Sequence, residues 1–166
     1  MSALMVLLAV LLVPLVILSA HSDRFVPKAE QEAGARSAGY TAWVLALEGI
    51  MIAVFAAQDV FLFYVLFEAM LLPVYFLIGS HGGPKRKAAA LKFLLYSLAG
   101  GLVMLVGVVA LFVYAADSPQ AMLISNLAGT ISADGATPML IFLSFFFAFA
   151  VKAPMWPVHT LSLIHI

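Results

Sequence analysis

The sequence predicts an all-α fold, a polytopic bundle of membrane-spanning helices. Of its 166 residues, 65% are hydrophobic, only 10% are charged, and mean hydropathy is +1.14, whereas a soluble domain is about half apolar and about a quarter charged. The apolar residues fall in long continuous runs, five of them near the ~20 residues that cross a bilayer as a helix. Barrel strands would alternate lipid-facing and lumen-facing residues, and these runs do not.

The five predicted spans are Met1 to Ala20, Ala42 to Ala57, Val60 to Gly79, Ala88 to Ala116 and Met139 to about Pro157. The first differs from a secretory signal: no positive residue opens it, and Leu18 stands where a small residue should precede Ala20. The second follows a polar loop and the third a Gln58-Asp59 link, where Asp59 suits the N-terminus of a helix as cap and as dipole partner. The fourth is longer than a bilayer needs, which implies tilt or extension beyond the hydrocarbon. Its Ser97 and Gly101 form a small-xxx-small pair that lets helices approach closely, read as plain packing.

Charge bounds the function further. Net charge is zero and no Lys/Arg block alternates with aromatics, so nucleic acid is not an expected partner. With no cysteine there is no thiol nucleophile and no thiolate-held cluster. His21 and His81 are loop residues without neighbouring ligands, and no His/Asp/Glu group has metal spacing, so no metal site is expected.

Loop charges set the orientation, because short cytoplasmic loops collect Lys and Arg. Lys85, Arg86 and Lys87 follow the third span with no acid, while Asp117 to Pro138 holds two aspartates and no cation. The first loop is predicted inside and the second outside. The Gln58-Asp59 link then falls outside, and the 21–41 loop with Arg24, Lys28 and Arg36 falls inside.

Ionisable residues within the spans are the functional candidates, since each costs about 2.5 to 3.5 kcal/mol at the bilayer centre on insertion scales. Glu68 lies in the middle of FLFYVLFEAMLLPVYFLIG, about 15 Å from either helix end and beyond reach by snorkelling. At 100° per residue Phe61, Tyr64, Glu68, Tyr75 and Gly79 share one sector, which is expected to face protein or water. Pro73 should kink this helix and free a carbonyl. Lys152 lies deep in the fifth run and is followed by APMWP, so Pro154 and Pro157 should break the helix just past it. Unwound backbone at membrane depth lines protein or water and marks ion sites.

Three further groups remain open. His159, past the break, either relays protons or hydrogen-bonds freed carbonyls. Lys92 either snorkels to the inner surface or joins the charged path. For Glu48, in the second span, a structural and a proton-handling role stand side by side. Glu68 and Lys152 themselves admit a structural ion pair, but desolvation offsets the Coulomb gain of such a pair. Burial and a charged partner shift carboxyl and lysyl pKa values in opposing directions, which suits proton transfer.

FLFYVLFEAMLLPVYFLIG with its glycine-rich basic turn, KFLLYSLAG, and FAFAVKAPMWPVHT together resemble the family of subunit M of bacterial NADH–quinone oxidoreductase, counterpart of subunit 4 of mitochondrial complex I. The resemblance runs from about residue 1 to 160. It implies that the five spans are the third to seventh helices of a fourteen-helix antiporter-like fold, a partial domain over residues 1–160. It further implies that Glu68 pairs with Lys152, and that Lys92 belongs to the same hydrophilic axis. By the same resemblance the chain serves proton translocation, with NADH and quinone bound by other membrane-complex subunits and no cofactor on this chain. Related subunits of multi-chain sodium/proton antiporters and membrane-bound hydrogenases are rival readings, as is a non-pumping membrane scaffold. Two departures stand out: the two preceding helices are absent, and after PVHT the chain reads LSLIHI. Codons for those six residues match a transposase adapter end used in sequencing libraries, so 161–166 are expected to be a non-native tail.

Overall fold

A computed structural model describes residues 2–20, 34–81, 85–114, 122–130 and 135–153. They form seven helices: α1 Ser2–Ala20, α2 Gly34–Ala56, α3 Val60–Ala69, α4 Leu71–His81, α5 Arg86–Tyr114, α6 Ile124–Thr130 and α7 Ala136–Lys152. Taken with α3 and α4 as one span, four helices are long and apolar enough to cross a membrane, and α7 is a shorter apolar helix. The all-helical membrane bundle expected from the sequence is borne out. α7 ends at Lys152 with Ala153 as its cap, just where a break was expected, and residues 154–157 of the expected fifth span lie outside the described residues.

Surface and interior are arranged for lipid. Leu4, Leu11, Phe61, Leu102, Val106 and Phe142 are each more than half exposed, an arrangement water would penalise and hydrocarbon does not. Inside, small side chains dominate the closest approaches: Ala90 and Ala148 are 1% exposed and Ser97 2%. Small residues allow the dispersion contacts that hold helices together in lipid, where no hydrophobic force drives them.

The helices pack in chain order, α1 on α2, α2 on α3 and α4, these on α5, and α5 along α7. α2 starts at Gly34, earlier than the apolar run suggests. α5 has 29 residues, about 43 Å of helix against a hydrocarbon core of about 30 Å, as its long apolar run requires. Its Arg86, Lys87 and Lys92 are all exposed near one end.

Two features tie the links together on one side. The Asp59 carboxylate accepts from the Leu62 amide at 2.9 Å, so it caps α3 as expected. Asp59 also forms an isolated antiparallel bridge with Leu123: the Val60 amide donates to the Met122 carbonyl at 3.1 Å and the Ile124 amide to the Gln58 carbonyl at 2.9 Å. The α2–α3 link and the segment before α6 therefore lie on the same side of the bundle. Met122 from that segment and Leu127 of α6 join Val60, Val108 and Leu111 in the core.

The third span is interrupted at Met70, three residues before Pro73. Proline has no amide for the Ala69 carbonyl and its ring crowds that carbonyl. Met70 keeps right-handed helical dihedrals (φ −59°, ψ −22°) and donates to the Leu66 carbonyl at 3.2 Å, so the span is kinked and carries on as α4.

Candidate functional site

The kink gives α3 a C-terminus in the middle of the span, and the last four carbonyls of a helix lack partners further along it. Phe67 is one of these. The Lys152 ammonium donates to the Phe67 carbonyl at 2.6 Å and stands 3.4 Å from the centroid of the Phe67 ring. Phe67 packs on Phe63 at 5.7 Å and meets Phe149 edge-on at 5.5 Å, and Phe63 and Phe149 are 6.3 Å apart. An ammonium on such a ring face gains about 0.5 to 2 kcal/mol, more as water is excluded.

Lys152 arrives at this point because α7 stops there. Ala153 precedes Pro154, and a residue before proline is disfavoured in helix; Ala153 accordingly leaves the helix (φ −97°, ψ 54°), its amide donating to the Phe149 carbonyl at 2.7 Å. The ammonium thus sits at the C-terminal ends of two helices, α3 and α7, where the backbone dipoles favour a cation.

Glu68 is the next residue along α3. Its two carboxylate oxygens are enclosed and, among the described residues, accept no hydrogen bond. Lys152 lies close enough to interact with the Glu68 charge, as does Tyr64, yet the ammonium is engaged by Phe67 and makes no direct contact with the carboxylate. The expected close pair is therefore an approach without contact in this arrangement. The carboxylate lies against α5, where a Cβ on Gly101 would collide with it. One helical step earlier, a Cβ on Gly100 would stand 3.1 Å from Val151, which precedes Lys152.

Above Lys152 opens an apolar cavity of about 500 Å³ between α2, α3, α4, α5 and α7, bordered by Leu47, Met51, Phe93, Ser97 and Phe149, with Lys152 its charged member. The other candidates lie apart. Lys92 is exposed and Glu48 half-buried, and neither reaches the Glu68 carboxylate. His159, with Pro154, Pro157 and the sequence 161–166, lies outside the described residues, as do His21 and the Lys28 loop; of His81 only the backbone is described. The stripe on α3 is covered only in part: Tyr64 and Glu68 are half-buried while Phe61 is 56% exposed. Beyond Met70 the kink ends the simple helical phase on which Tyr75 and Gly79 were aligned with Glu68.

Sequence reasoning missed Phe67 and gave Gly101 only a packing role. The carbonyl that Pro73 deprives of an amide is that of Ala69, two residues further on, and a phenylalanine amid apolar residues carries no signal of its own.

Residues 57–161 match the family described as NADH:quinone oxidoreductase/Mrp antiporter, TM. The chain is 46% identical over 143 residues to the NADH-quinone oxidoreductase subunit M of Mycobacterium tuberculosis, covering 80% of this chain and 26% of that protein. With the subunit M of Rhodobacter capsulatus it shares 40% identity over 168 residues, 96% of this chain and 31% of the relative. The chloroplastic NAD(P)H-quinone oxidoreductase chain 4 of Ipomoea purpurea is 38% identical over 117 residues, 70% of this chain and 23% of that protein. The chain thus spans about a quarter to a third of the length of these relatives.

Proposed function

The chain belongs to the NADH:quinone oxidoreductase/Mrp antiporter transmembrane family, and on that premise we propose that it is part of a membrane subunit that translocates protons as NADH–quinone oxidoreductase turns over. The observation that carries this reading is the enclosed Glu68 carboxylate, without a hydrogen bond, one residue from the carbonyl that holds the Lys152 ammonium. A charge buried inside a span needs a partner or a purpose, and here the partner is present but parked on a neighbouring seat.

The mechanism follows from two positions of one flexible side chain. With the ammonium on Phe67, Glu68 and Lys152 feel one another across a gap; with the ammonium on the carboxylate, the gap is closed. Coulomb energy between unit charges varies steeply with distance in a poorly screened interior. The proton affinity of each group therefore changes as the gap opens and closes, and a proton is taken up or released at the Glu68 oxygens or at Lys152 Nζ. Lys92 and His159 extend the path in this reading. NADH and quinone bind to other subunits in this reading, and the residues of this chain, without cysteine, offer no thiolate for a cluster.

The bacterial relatives are the more similar of those compared, which supports a bacterial plasma membrane. Basic residues support a cytoplasmic side for the Lys85-Arg86-Lys87 loop and an outer side for residues 117–138; the bridge between Asp59 and Leu123 supports one common side for the two links assigned outside. The family also includes Mrp antiporters, so the energy source is the decisive question. Inverted vesicles from cells lacking the subunit should lose NADH-driven proton uptake and keep sodium/proton exchange. Loss of the exchange with intact NADH-driven uptake would place the chain in an antiporter instead.

A further inference from the structure

We propose that Gly101 is a positioning residue for the Glu68 carboxylate, its bare Cα forming the floor on which that carboxylate lies; the proposal rests on the role given to Glu68 above. A Cβ built at Gly101 collides with Cδ and both carboxylate oxygens of Glu68, and with nothing nearer. The oxygens accept no hydrogen bond from any described residue. Their location is therefore set by shape, and the shape is the absence of one methyl group on α5.

The neighbouring glycine extends the same surface to the helix that carries the other charge. Gly100 faces Val151 at 3.1 Å, one residue before Lys152. Gly101 faces Glu68 and Gly100 faces the residue before Lys152, so α5 is the wall against which α3 and α7 are set at this level. A glycine pair inside a long helix costs helix propensity, so these positions have a use that outweighs the local loss.

The consequence of substitution differs from that at an ordinary packing glycine. What an added methyl at Gly101 meets is the far end of a flexible side chain, so the carboxylate moves and α5 stays. At Gly79 a Cβ would stand 3.7 Å from the Ala90 Cβ, an ordinary contact, so Gly79→Ala is the control.

The test uses the assembled complex in inverted membrane vesicles energised with NADH. Gly101→Ala should assemble normally and lose roughly tenfold or more in proton uptake, since a misplacement of about 1 Å can cost about 100-fold. Adding Glu68→Asp to Gly101→Ala should restore part of the uptake, because an arm one methylene shorter withdraws the carboxylate from the new methyl. Gly79→Ala should pump normally. Normal uptake by Gly101→Ala, failure of its assembly, or a further loss on adding Glu68→Asp would each overturn the proposal. Glu68→Gln is measured beside them. If it fails to pump while Gly101→Ala pumps normally, only the positioning role falls; if it pumps normally, the role of Glu68 itself falls.

Discussion

Lys152 Nζ and Phe67 are joined twice, by a 2.6 Å hydrogen bond to the carbonyl and by a ring centroid 3.4 Å from the ammonium. The double engagement holds a mobile cation one residue short of Glu68. It exists because two prolines act at a distance: Pro73 ends α3 so that the Phe67 carbonyl lies in a last turn, and Pro154 ends α7 so that Lys152 is its last residue.

The ring should matter separately from the carbonyl. Phe67→Leu keeps the backbone acceptor and removes the ring face, costing about 0.5 to 2 kcal/mol of cation attraction beside a packing loss. NADH-driven proton uptake per assembled complex should fall in Phe67→Leu and be largely kept in Phe67→Tyr, which retains a ring. Equal uptake in both variants would show that the ring has no part.

Arginine at position 152 separates a fixed charge from a transferable proton. The guanidinium stays protonated in proteins, and the adjoining 500 Å³ cavity gives it room. Lys152→Arg should therefore assemble and fail to pump. A structural ion pair would predict the opposite, pumping preserved with the charge.

Asp59 should behave as a cap and nothing more. Asp59→Ala removes the acceptor for the Leu62 amide and should cost about 1 kcal/mol of local stability. The solubilised complex should unfold at lower temperature, while uptake per assembled complex stays unchanged. Asp59→Asn, which can still cap, should lose less.

Much of this was legible in the sequence, and the reasons for the rest are physical. Continuous apolar runs and proline positions revealed the helices, the Met70 kink and the end of α7, because lipid demands satisfied backbone and proline defeats it locally. Asp59 was legible because capping is a local reaction between a side chain and its own helix. Helix α6, ISNLAGT, was missed since seven residues between polar loops carry no periodic signal. Its bridge partner at Asp59 lies far away in sequence, and only the packed bundle brings Leu123 there. The Phe67 seat and the Gly101 floor share that dependence: each is defined by a residue on another helix.

Sidedness is testable from pairs the bundle places together. Cysteines at Gln58 and Ser125, both exposed, should react alike with an impermeant thiol reagent added to whole cells, since their segments are hydrogen-bonded neighbours. Ser80→Cys, beside the basic loop, should be spared. Labelling of Ser80→Cys with sparing of the other two would reverse the orientation, and a difference between Gln58→Cys and Ser125→Cys would contradict the shared side.

Whether Glu68 carries protons is decided by proton uptake in inverted vesicles bearing Glu68→Gln, recorded with NADH oxidation and a blot for assembled complex. Glutamine keeps the shape against Gly101 and removes the titratable group. A fully assembled Glu68→Gln complex should lose most of its proton uptake, with NADH oxidation falling alongside where the two are tightly coupled; normal uptake by that assembled variant would show that Glu68 carries no proton.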